Sequence, residues 1–418
     1  MEKYIINGGN ELSGTVRVQA AKNSVLPILA ATVLTDEKVT ICNIPGITDV
    51  RNMLKILNCL GCRSTFMDAD VIIDSTGANC YEIPSVLAHE LRSSVFLLGS
   101  VISRFHKAKI AYPGGCDIGL RPVDLHLTGL KRLGVRITEK NGYISCECDK
   151  LIGNEIMLDC PSVGATENIM LAAVKAEGTT VIKNAAREPE IEDLQKFLNS
   201  IGAKVSGAGT GTVVIHGVSE LGGCCFTPIS DRIEAGTYLI GTAMCGGEIQ
   251  LTHVNAELLS SLLHKLRENG CKIRIKDDKI YLKSDRRLVS VKSIETQPYP
   301  GFPTDLQAQM TALCCICSGN SIITENLFET RFKYAPELRK MGADITVIDR
   351  NAFVHGVPKL KGATVVAHDL RGGAALVIAA LSAEGRSEIL DISHIDRGYS
   401  DFEYKLRALG GDIVRVAV

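Results

Sequence analysis

Two kinds of helix alternate along this chain, and they differ in how their hydrophobic and polar positions are distributed. The first kind is amphipathic, ends at a glycine and is followed by a strand of alternating polarity. A glycine after a helix is the usual left-handed cap, so one match is weak, but six matches at intervals of about 70 residues indicate an internal repeat. The six glycines are Gly61, Gly134, Gly202, Gly270, Gly342 and Gly410.

The second kind of helix lies upstream of each repeat glycine and is apolar nearly all round. Such a helix has to be buried on nearly all sides, whereas the amphipathic helix keeps one face in water. Short β-rich segments such as TTVIKNA and EIQLTHV separate the two helices, and further strands follow them. Each repeat therefore predicts the order β-α-β-α-β-β. The apolar segments are NSVLPILAATVLT, LRSSVFLLGSVIS, ATENIMLAAVKAEG, IEAGTYLIGTAMCGG, LQAQMTALCCICSG and GGAALVIAALSAEG.

The six repeats predict an α/β protein of two domains with three repeats each, helices inside and sheets outside. A chain of 418 residues is longer than one hydrophobic core usually serves. The glycine-rich stretch 218–230 has little helix signal, so we expect the domain boundary near it. The series GAGTGT at 207–212 precedes a strand and opens no helix, which favours a hairpin over a nucleotide-binding loop.

The amino-acid composition argues against several classes of protein. Lys and Arg total 46 against 47 for Asp and Glu, which gives no overall attraction for nucleic acid or an anionic membrane. The 15 scattered cysteines indicate a reducing cytoplasm without disulfides. No signal peptide or bilayer-spanning run is present in the pattern, so we expect a cytoplasmic protein without membrane insertion. The nine histidines form no ligand motif, and the cysteines at 59, 62, 314, 315 and 317 look structural, so we expect no metal and no cofactor.

The stretch 112–126, YPGGCDIGLRPVDLH, combines a breaker sequence with reactive side chains. Its Pro-Gly-Gly sequence predicts an exposed, movable loop that carries Cys116. Asp117 follows directly, and a neighbouring negative charge disfavours the thiolate, so the thiol is suited to donate a proton rather than to attack. The competing interpretation is a small buried cysteine with a structural role.

Polar and charged residues also stand at the N-terminal ends of the apolar helices, and four of the six ends carry a cation. Cations there oppose the helix dipole, so they are not explained by helix stability. We expect these ends to converge on a site for an anion, although solvated surface cations remain the alternative. The residues are Lys22, Asn23, Arg92, Thr166, Arg232, Asp305, Asp369 and Arg371.

Several segments together resemble one family, the UDP-N-acetylglucosamine 1-carboxyvinyltransferases, which are enolpyruvyl transferases of peptidoglycan synthesis. The segments include KNSVLPILAA, PGGCDIGLRPVDLH, PSVGATENIM, AAREPEIEDL, SDRIEAGTY, FPTDLQAQ, ENLFETRF, HDLRGGAAL and HIDRGY, and they run over nearly the whole chain. The resemblance implies an inside-out α/β barrel fold of two pseudo-threefold domains, with the active site in the cleft between them. It assigns residues 22–229 to one domain and residues 1–21 plus 230–418 to the other, because the first strand region packs with the C-terminal half in this family.

The resemblance also implies a reaction and its residues. Phosphoenolpyruvate and UDP-N-acetylglucosamine would combine through a tetrahedral ketal to give the 3-enolpyruvyl ether and phosphate, with no obligate protein partner. Cys116 matches the proton donor, Asp305 the base, and Lys22, Arg121 and Arg397 the anion clamp. Cys116 would also be the target of small electrophiles such as fosfomycin, and a thiol that can carry a phosphoenolpyruvate adduct. The matching substrate-binding positions are Lys22, Asn23, Arg92, Arg121, Pro122, Val123, Asp124, Leu125, Ser162, Val163, Gly164, Asp305, Leu327, Asp369, Arg371 and Arg397.

One departure and two alternatives remain open at the level of sequence. Cys160 stands where some members of the family carry a lysine that helps to bind the diphosphate, so either nucleotide binding is weaker or another cation substitutes. The sister enzyme that uses shikimate 3-phosphate shares the fold, but the PGGC loop argues against it. A catalytically silent repeat scaffold is the other alternative, and the presence of all five charged or reactive site residues argues against it.

Overall fold

The computed structural model describes residues 2–114, 123–285 and 288–417. These residues form an α/β protein with five additional short 3-10 helices, Thr32–Leu34, Arg92–Phe96, Ala256–Leu259, Thr304–Leu306 and Ile392–Arg397. None of the helices in this part of the chain is long and apolar enough to cross a membrane.

The strands and helices of the described residues are as follows. The strands are β1 (Glu2–Asn7), β2 (Leu12–Arg17), β3 (Val39–Ile41), β4 (Arg63–Met67), β5 (Asp70–Asp74), β6 (Lys107–Ala111), β7 (Arg136–Lys140), β8 (Tyr143–Glu147), β9 (Glu155–Met157), β10 (Thr179–Lys183), β11 (Lys204–Ser206), β12 (Thr212–His216), β13 (Cys224–Phe226), β14 (Gly247–Thr252), β15 (Lys272–Lys276), β16 (Lys279–Ser284), β17 (Ser293–Glu295), β18 (Asn320–Thr324), β19 (Asp344–Ile348), β20 (Asn351–His355), β21 (Thr364–Val366), β22 (Arg386–Leu390) and β23 (Asp412–Ala417). The helices are α1 (Lys22–Ala31), α2 (Thr48–Cys59), α3 (Ser85–Glu90), α4 (Leu97–Phe105), α5 (Asp124–Arg132), α6 (Val163–Ala173), α7 (Pro189–Ser200), α8 (Arg232–Cys245), α9 (Ser260–Glu268), α10 (Gln307–Cys314), α11 (Ala335–Lys340), α12 (Leu370–Ser382) and α13 (Phe402–Ala408).

The sixfold repeat predicted from the glycines is confirmed by the backbone. Each repeat glycine follows an amphipathic helix and has a positive φ, between 88° and 105°. A left-handed residue at this position reverses the chain into the next strand, and glycine adopts it without a steric cost. The stretch 207–212 likewise connects the antiparallel strands β11 and β12, so the predicted hairpin is confirmed.

The described residues divide into two compact units, each with its own hydrophobic core. The first unit contains the described residues of 2–19 and 230–417, and the second contains those of 20–229. The described strands of the first unit form three sheets with the orders β15-β16-β14-β2, β17-β18-β20-β19 and β21-β22-β1-β23. Those of the second unit form the sheets β13-β3-β5-β4, β6-β8-β7 and β11-β12-β10-β9.

The apolar helices lie inside these units, as predicted. In the first unit, α8, α10 and α12 pack against one another, and every residue of α8 is buried. In the second unit, α4 packs against both α1 and α6. The strands alternate between buried and exposed positions, which places one face of each sheet on the core. The inside-out α/β arrangement is therefore confirmed, with its strands in separate open sheets.

Two strands exchange places between the first and the fourth repeat of the sequence. β2 precedes α1 but pairs in parallel with β14 in the first unit. β13 precedes α8 but pairs in parallel with β3 in the second unit. Each exchanged strand occupies the edge position that β9 occupies beside β10 in the third repeat. All sheets with four described strands therefore share one topology, although the strands come from different parts of the chain.

Candidate active site

Asp305 is the centre of a charged cluster in the first unit. It lies in the 3-10 turn Thr304–Leu306, immediately before α10. Its Oδ1 accepts a hydrogen bond from Arg331 Nη2 at 2.7 Å, and its Oδ2 accepts from Arg371 Nε at 3.2 Å and Nη2 at 3.1 Å. Both guanidinium side chains are only 3% exposed, whereas the Asp305 side chain is 25% exposed. The cluster therefore presents a carboxylate at the surface and buries the cations that fix its orientation.

Arg371 is held by the start of α12. The Asp369 side chain caps this helix and accepts hydrogen bonds from the backbone N–H groups of Arg371 and Gly372 at 3.0 and 2.9 Å. The guanidinium lies over the ring of Tyr399, 5.5 Å from its centroid. Although burial alone lowers it, the charge of Asp305 raises the pKa of Arg371 above its usual value. The turn before α10 and the start of α12 thus meet, and the anion site expected at these helix ends stays a prediction.

Leu327 lies in a loop that is organised by a buried carboxylate. Glu325 Oε1 accepts hydrogen bonds from the Leu327 and Phe328 backbone N–H groups at 2.9 and 3.2 Å. Its Oε2 accepts from the Thr304 hydroxyl at 2.9 Å. One side chain therefore connects the Leu327 loop to the turn that carries Asp305.

Arg397 is the last residue of the 3-10 helix Ile392–Arg397 in the first unit. The residue before it, Asp396, binds Arg415 of β23 through both of its oxygens, at 2.6 and 3.0 Å. Arg415 also donates to Glu403 at 2.8 Å and to the hydroxyl of Tyr4 at 2.8 Å. The segment that carries Arg397 is therefore fixed to the neighbouring strand by a bidentate ion pair.

Lys22 in the second unit is the first residue of α1, and Asn23 beside it is exposed. Lys22 Nζ lies 2.7 Å from Asp49 Oδ2, and Asp49 belongs to the first turn of α2. The side chains of Lys22 and Asp49 are 12% and 3% exposed. The ammonium group is thus held near the surface by a buried counter-charge.

The starts of α4, α5 and α6 meet around Asn168 in the second unit. Asn168 Oδ1 accepts from the Gly99 backbone N–H at 2.6 Å, and its Nδ2 lies 3.0 Å from His126 Nδ1. Burial first, and then the charge of Arg92, lower the pKa of His126 to about 3, so this imidazole is neutral at physiological pH. A side chain at Gly164 would meet His126 Cε1 at 3.0 Å, which explains why the start of α6 carries a glycine there.

Ser162 caps α6 through a hydrogen bond from the Ala165 backbone N–H to its hydroxyl at 3.3 Å. Val163 and Gly164 are the first two residues of this helix, where backbone N–H groups lack intrahelical acceptors. Thr166 accepts from the Ala186 backbone N–H at 3.1 Å, which fixes the loop before α7. The start of α6 is therefore suited to hold an anion.

A cavity of about 240 Å³ opens beside α5 in the second unit. Leu125 contributes to its wall, whereas Val123 is buried and Asp124 is exposed at the start of the helix. The other lining residues are Thr128, Arg132, Glu155, Met157, Leu158 and Asp159. Cys160, directly after this set, is exposed.

The predicted loop is described only as far as its base. The Tyr112 backbone N–H donates to the Gly142 carbonyl at 2.9 Å, and the Gly114 N–H donates to the Ala88 carbonyl at 3.3 Å. A Cβ at Gly114 would lie 2.2 Å from the His89 carbonyl oxygen, so glycine is required here by close backbone approach rather than by a left-handed φ. Cys116, Arg121 and Pro122 lie outside the described residues, and their roles stay predictions.

The sequence did not single out Arg331, Asp49 or Glu325. Arg331 stands in the segment ENLFETRF, but its partner Asp305 is 26 positions away, and no local spacing signals that pair. Within residues 2–114, 123–285 and 288–417, no group of three or more His, Cys, Asp or Glu side chains is arranged to hold a metal ion. The absence of a metal and of a cofactor stays a prediction.

Comparison with known proteins yields one family and several full-length relatives. The family model for EPSP synthase (3-phosphoshikimate 1-carboxyvinyltransferase) matches residues 6–406. A protein named UDP-N-acetylglucosamine 1-carboxyvinyltransferase 2 from Caldanaerobacter subterraneus subsp. tengcongensis is 53% identical over 416 residues, which cover 100% of both chains. A protein named UDP-N-acetylglucosamine 1-carboxyvinyltransferase 1 from Symbiobacterium thermophilum is 51% identical over 421 residues, 99% of this chain and 95% of its own.

Among solved structures, the enolpyruvyl transferase NikO from Streptomyces tendae has a TM-score of 0.91 at 25% sequence identity. The match covers 100% of this chain and 99% of the other. The sequence relatives and this structural neighbour therefore both match this chain over nearly its whole length.

Proposed function

The chain belongs to the family of EPSP synthase and the UDP-N-acetylglucosamine 1-carboxyvinyltransferases, the enolpyruvyl transferases, and from this premise we propose its reaction. It transfers the enolpyruvyl group of phosphoenolpyruvate to the 3-hydroxyl of UDP-N-acetylglucosamine and releases phosphate. The observation that carries the proposal is the full-length identity of more than half with relatives that bear the name of this activity. The reaction supplies a peptidoglycan precursor, and we place it in the cytoplasm.

Asp305 takes the proton of the sugar hydroxyl in this proposal. Its carboxylate is partly exposed and is oriented by Arg331 and Arg371, so it can accept a proton without having to be repositioned. Arg331 Nε is buried and has no hydrogen-bond partner among the described residues. A negatively charged substrate beside the cluster would supply an acceptor for such a group.

The chemistry proceeds by addition and then elimination. The deprotonated 3-oxygen attacks C2 of phosphoenolpyruvate while its methylene carbon gains a proton from Cys116. The resulting tetrahedral ketal then loses a methyl proton and phosphate, which restores the double bond. Lys22, Arg121 and Arg397 stabilise the carboxylate and phosphate charges, and Asn23 and Asp369 lie near the intermediate.

In this proposal, polar groups of the second unit bind the nucleotide-sugar. Arg92, Val123, Asp124 and Leu125 contact the nucleotide, and the start of α6 at Ser162, Val163 and Gly164 binds its phosphates. The cavity beside Leu125 is adjacent to α5, and its wall carries the cation Arg132 together with the acidic side chains of Glu155 and Asp159. Leu327 contributes from the loop held by Glu325.

A second acceptor has to be tested because the matching family model carries the name of the shikimate enzyme. We would measure phosphate release from phosphoenolpyruvate with UDP-N-acetylglucosamine and with shikimate 3-phosphate in parallel. Release with the nucleotide-sugar alone is the expected result. Release with shikimate 3-phosphate alone would overturn the acceptor, and release with neither would favour a silent scaffold.

The same assay tests Cys116. We expect Cys116→Ala to fold normally and to lose turnover by about 100-fold or more, whereas Cys116→Asp retains much of it because it keeps an acid. Cys59→Ala, at an exposed cysteine at the end of α2, is the matched control and should leave turnover unchanged. Full activity of Cys116→Ala would remove Cys116 from the mechanism, and so would mass mapping that finds the fosfomycin adduct on another residue.

A further inference from the structure

Two cysteines of the second unit lie in contact at the edge of a sheet. Cys42 follows β3 directly, and Cys225 is the middle residue of β13, the edge strand that pairs with β3. The Cys42 backbone N–H donates to the Phe226 carbonyl at 2.8 Å, which fixes the offset between the two strands. Their Sγ atoms are 3.3 Å apart.

Access and spacing distinguish this pair from the buried cysteines of the core. Cys225 is exposed and Cys42 is partly exposed, so both can be reached from solvent. A disulfide bond needs its sulfurs at about 2.0 Å, so the two atoms have to approach by roughly 1.3 Å for the bond to form. Cys314, Cys315 and Cys317 are close to one another in sequence but fully buried, so oxidants do not reach them in the folded protein.

We infer that Cys42 and Cys225 form a dithiol oxidation site, at which a peroxide converts the two thiols to a disulfide that joins β13 to β3. Nothing in the proposed transfer reaction uses either residue. The site takes a small two-electron oxidant, because the thiols are at the surface of a sheet edge and not in a cavity.

The order of the two steps follows from the environments of the thiols. Burial, followed by the hydrogen bond with Cys225, raises the pKa of Cys42 to about 11, so its thiol is protonated at neutral pH. Cys225 is the more exposed residue and reacts first. Its thiolate attacks one peroxide oxygen, the O–O bond breaks, and a sulfenic acid and hydroxide form. The hydroxide takes up the proton that the thiol released.

The second step forms the disulfide. The Cys42 sulfur attacks the Cys225 sulfur, the S–S bond forms, and the hydroxide that leaves takes up the Cys42 proton as a second water. Each sulfur loses one electron and each peroxide oxygen gains one, so two thiols and one hydrogen peroxide give one disulfide and two waters.

The test is peptide mapping of the full-length protein after treatment with hydrogen peroxide, alkylation of the remaining thiols and digestion without reduction. We expect a linked peptide pair that contains Cys42 and Cys225, lighter by two hydrogens than its separate parts and released by dithiothreitol. In Cys42→Ser, Cys225 should stop at the sulfenic acid and be labelled by dimedone. In Cys225→Ser, the Cys42 thiol should survive.

Cys224→Ser is the matched control, because Cys224 precedes Cys225 in the same strand, and the linked pair should form in it as in the wild type. Two outcomes would overturn the proposal. One is oxidation of Cys225 in the wild type without any linkage to Cys42. The other is linkage of Cys225 to another cysteine, within the chain or between two molecules.

Discussion

The surroundings of single carboxyl groups in this molecule determine whether each is suited to bind or to release a proton. Asp305 is contacted by two guanidinium groups and remains partly exposed. Glu167 on α6 is fully buried, and neither of its carboxyl oxygens has a hydrogen-bond partner among the described residues. The same chemical group is therefore suited to accept a proton at one position and to keep one at the other.

We expect Asp305→Asn to lower kcat by about 100-fold or more, because asparagine cannot act as a base. It should also destabilise the fold by about 2 kcal/mol, since two buried guanidinium groups lose their common counter-charge. Steady-state kinetics and denaturant unfolding measure the two effects. Asp344→Asn, at an exposed position of β19, is the control. A variant with kcat within twofold of the wild type would exclude Asp305 as the base.

Glu167 makes stability depend on pH. Burial, and then the charges of Glu190 and Glu188, raise its pKa well above the usual value. The folded protein therefore keeps a proton that the unfolded chain loses above pH ~4.5. The stabilising effect of that proton is fully present below this pH and is lost as the pH rises toward the folded-state pKa, with a slope of at most about 1.4 kcal/mol per pH unit.

We expect Glu167→Gln to remove this slope, because glutamine is uncharged at every pH. The variant should gain stability relative to the wild type between pH 5 and pH 8 in urea unfolding, by roughly 1 kcal/mol or more. Glu220→Gln, at an exposed position, should follow the wild type. Parallel curves for Glu167→Gln and the wild type would show that Glu167 is ionised in the folded protein.

For the helices and strands, the local sequence pattern predicted which helices are buried and at which glycine the chain turns back in each repeat. It did not predict which side chains form pairs. The apolar helices and the repeat glycines are properties of neighbouring residues, and both were confirmed. Their starts were less regular than predicted: Arg92–Phe96 and Thr304–Leu306 are 3-10 turns ahead of α4 and α10. The pairs Lys22 with Asp49 and Asp305 with Arg331 join different elements, so no periodicity reveals them.

Arg415 is a positioning residue for the segment that carries Arg397. We expect Arg415→Gln to raise the KM for phosphoenolpyruvate by about tenfold with little effect on the KM for the nucleotide-sugar, because Asp396 loses its bidentate partner. Arg415→Lys should restore only part of this loss, since an ammonium group cannot form the planar fork. Arg407→Gln, exposed on α13, is the matched control.

Equal increases in both KM values would contradict this role, since they would indicate a general loss of structure. A loss of stability alone, with unchanged kinetics, would show that Arg415 supports only the fold. Its contacts with Glu403 and Tyr4 make some loss of stability certain in either case.

For the whole molecule, the topology shows what sequence pattern alone does not reveal. The resemblance to a known family implied that the first strand region packs with the C-terminal half, and β1 does pair with β22 and β23 there. The exchange of β2 and β13 between sheets was not predicted. Strand partners far apart in sequence depend on the complete fold, because each strand by itself fits several equivalent sheet edges.

β1 completes the sixth repeat, although it is at the other end of the sequence. In the sheet β21-β22-β1-β23 it holds the place that β12 holds in β9-β10-β12-β11, between two antiparallel partners. Tyr4 and Ile6 of this strand are fully buried. Deletion of residues 1–8 therefore removes a central strand, and we expect the first unit to lose its cooperative unfolding transition and the protein its turnover.

Moving that strand to the other end of the chain should restore both properties. Glu2 pairs with Ala417, as Tyr143 pairs with Lys140 across the two-residue turn Asn141-Gly142, in which both residues have positive φ. A permuted chain that begins at Gly9 and continues from Ala417 through Asn-Gly into residues 2–8 should therefore form the hairpin that the other repeats contain. Thermal unfolding and phosphate release, measured beside the wild type and the deletion, test this. A permuted chain as unstable and inactive as the deletion would show that β1 has to stay connected to β2.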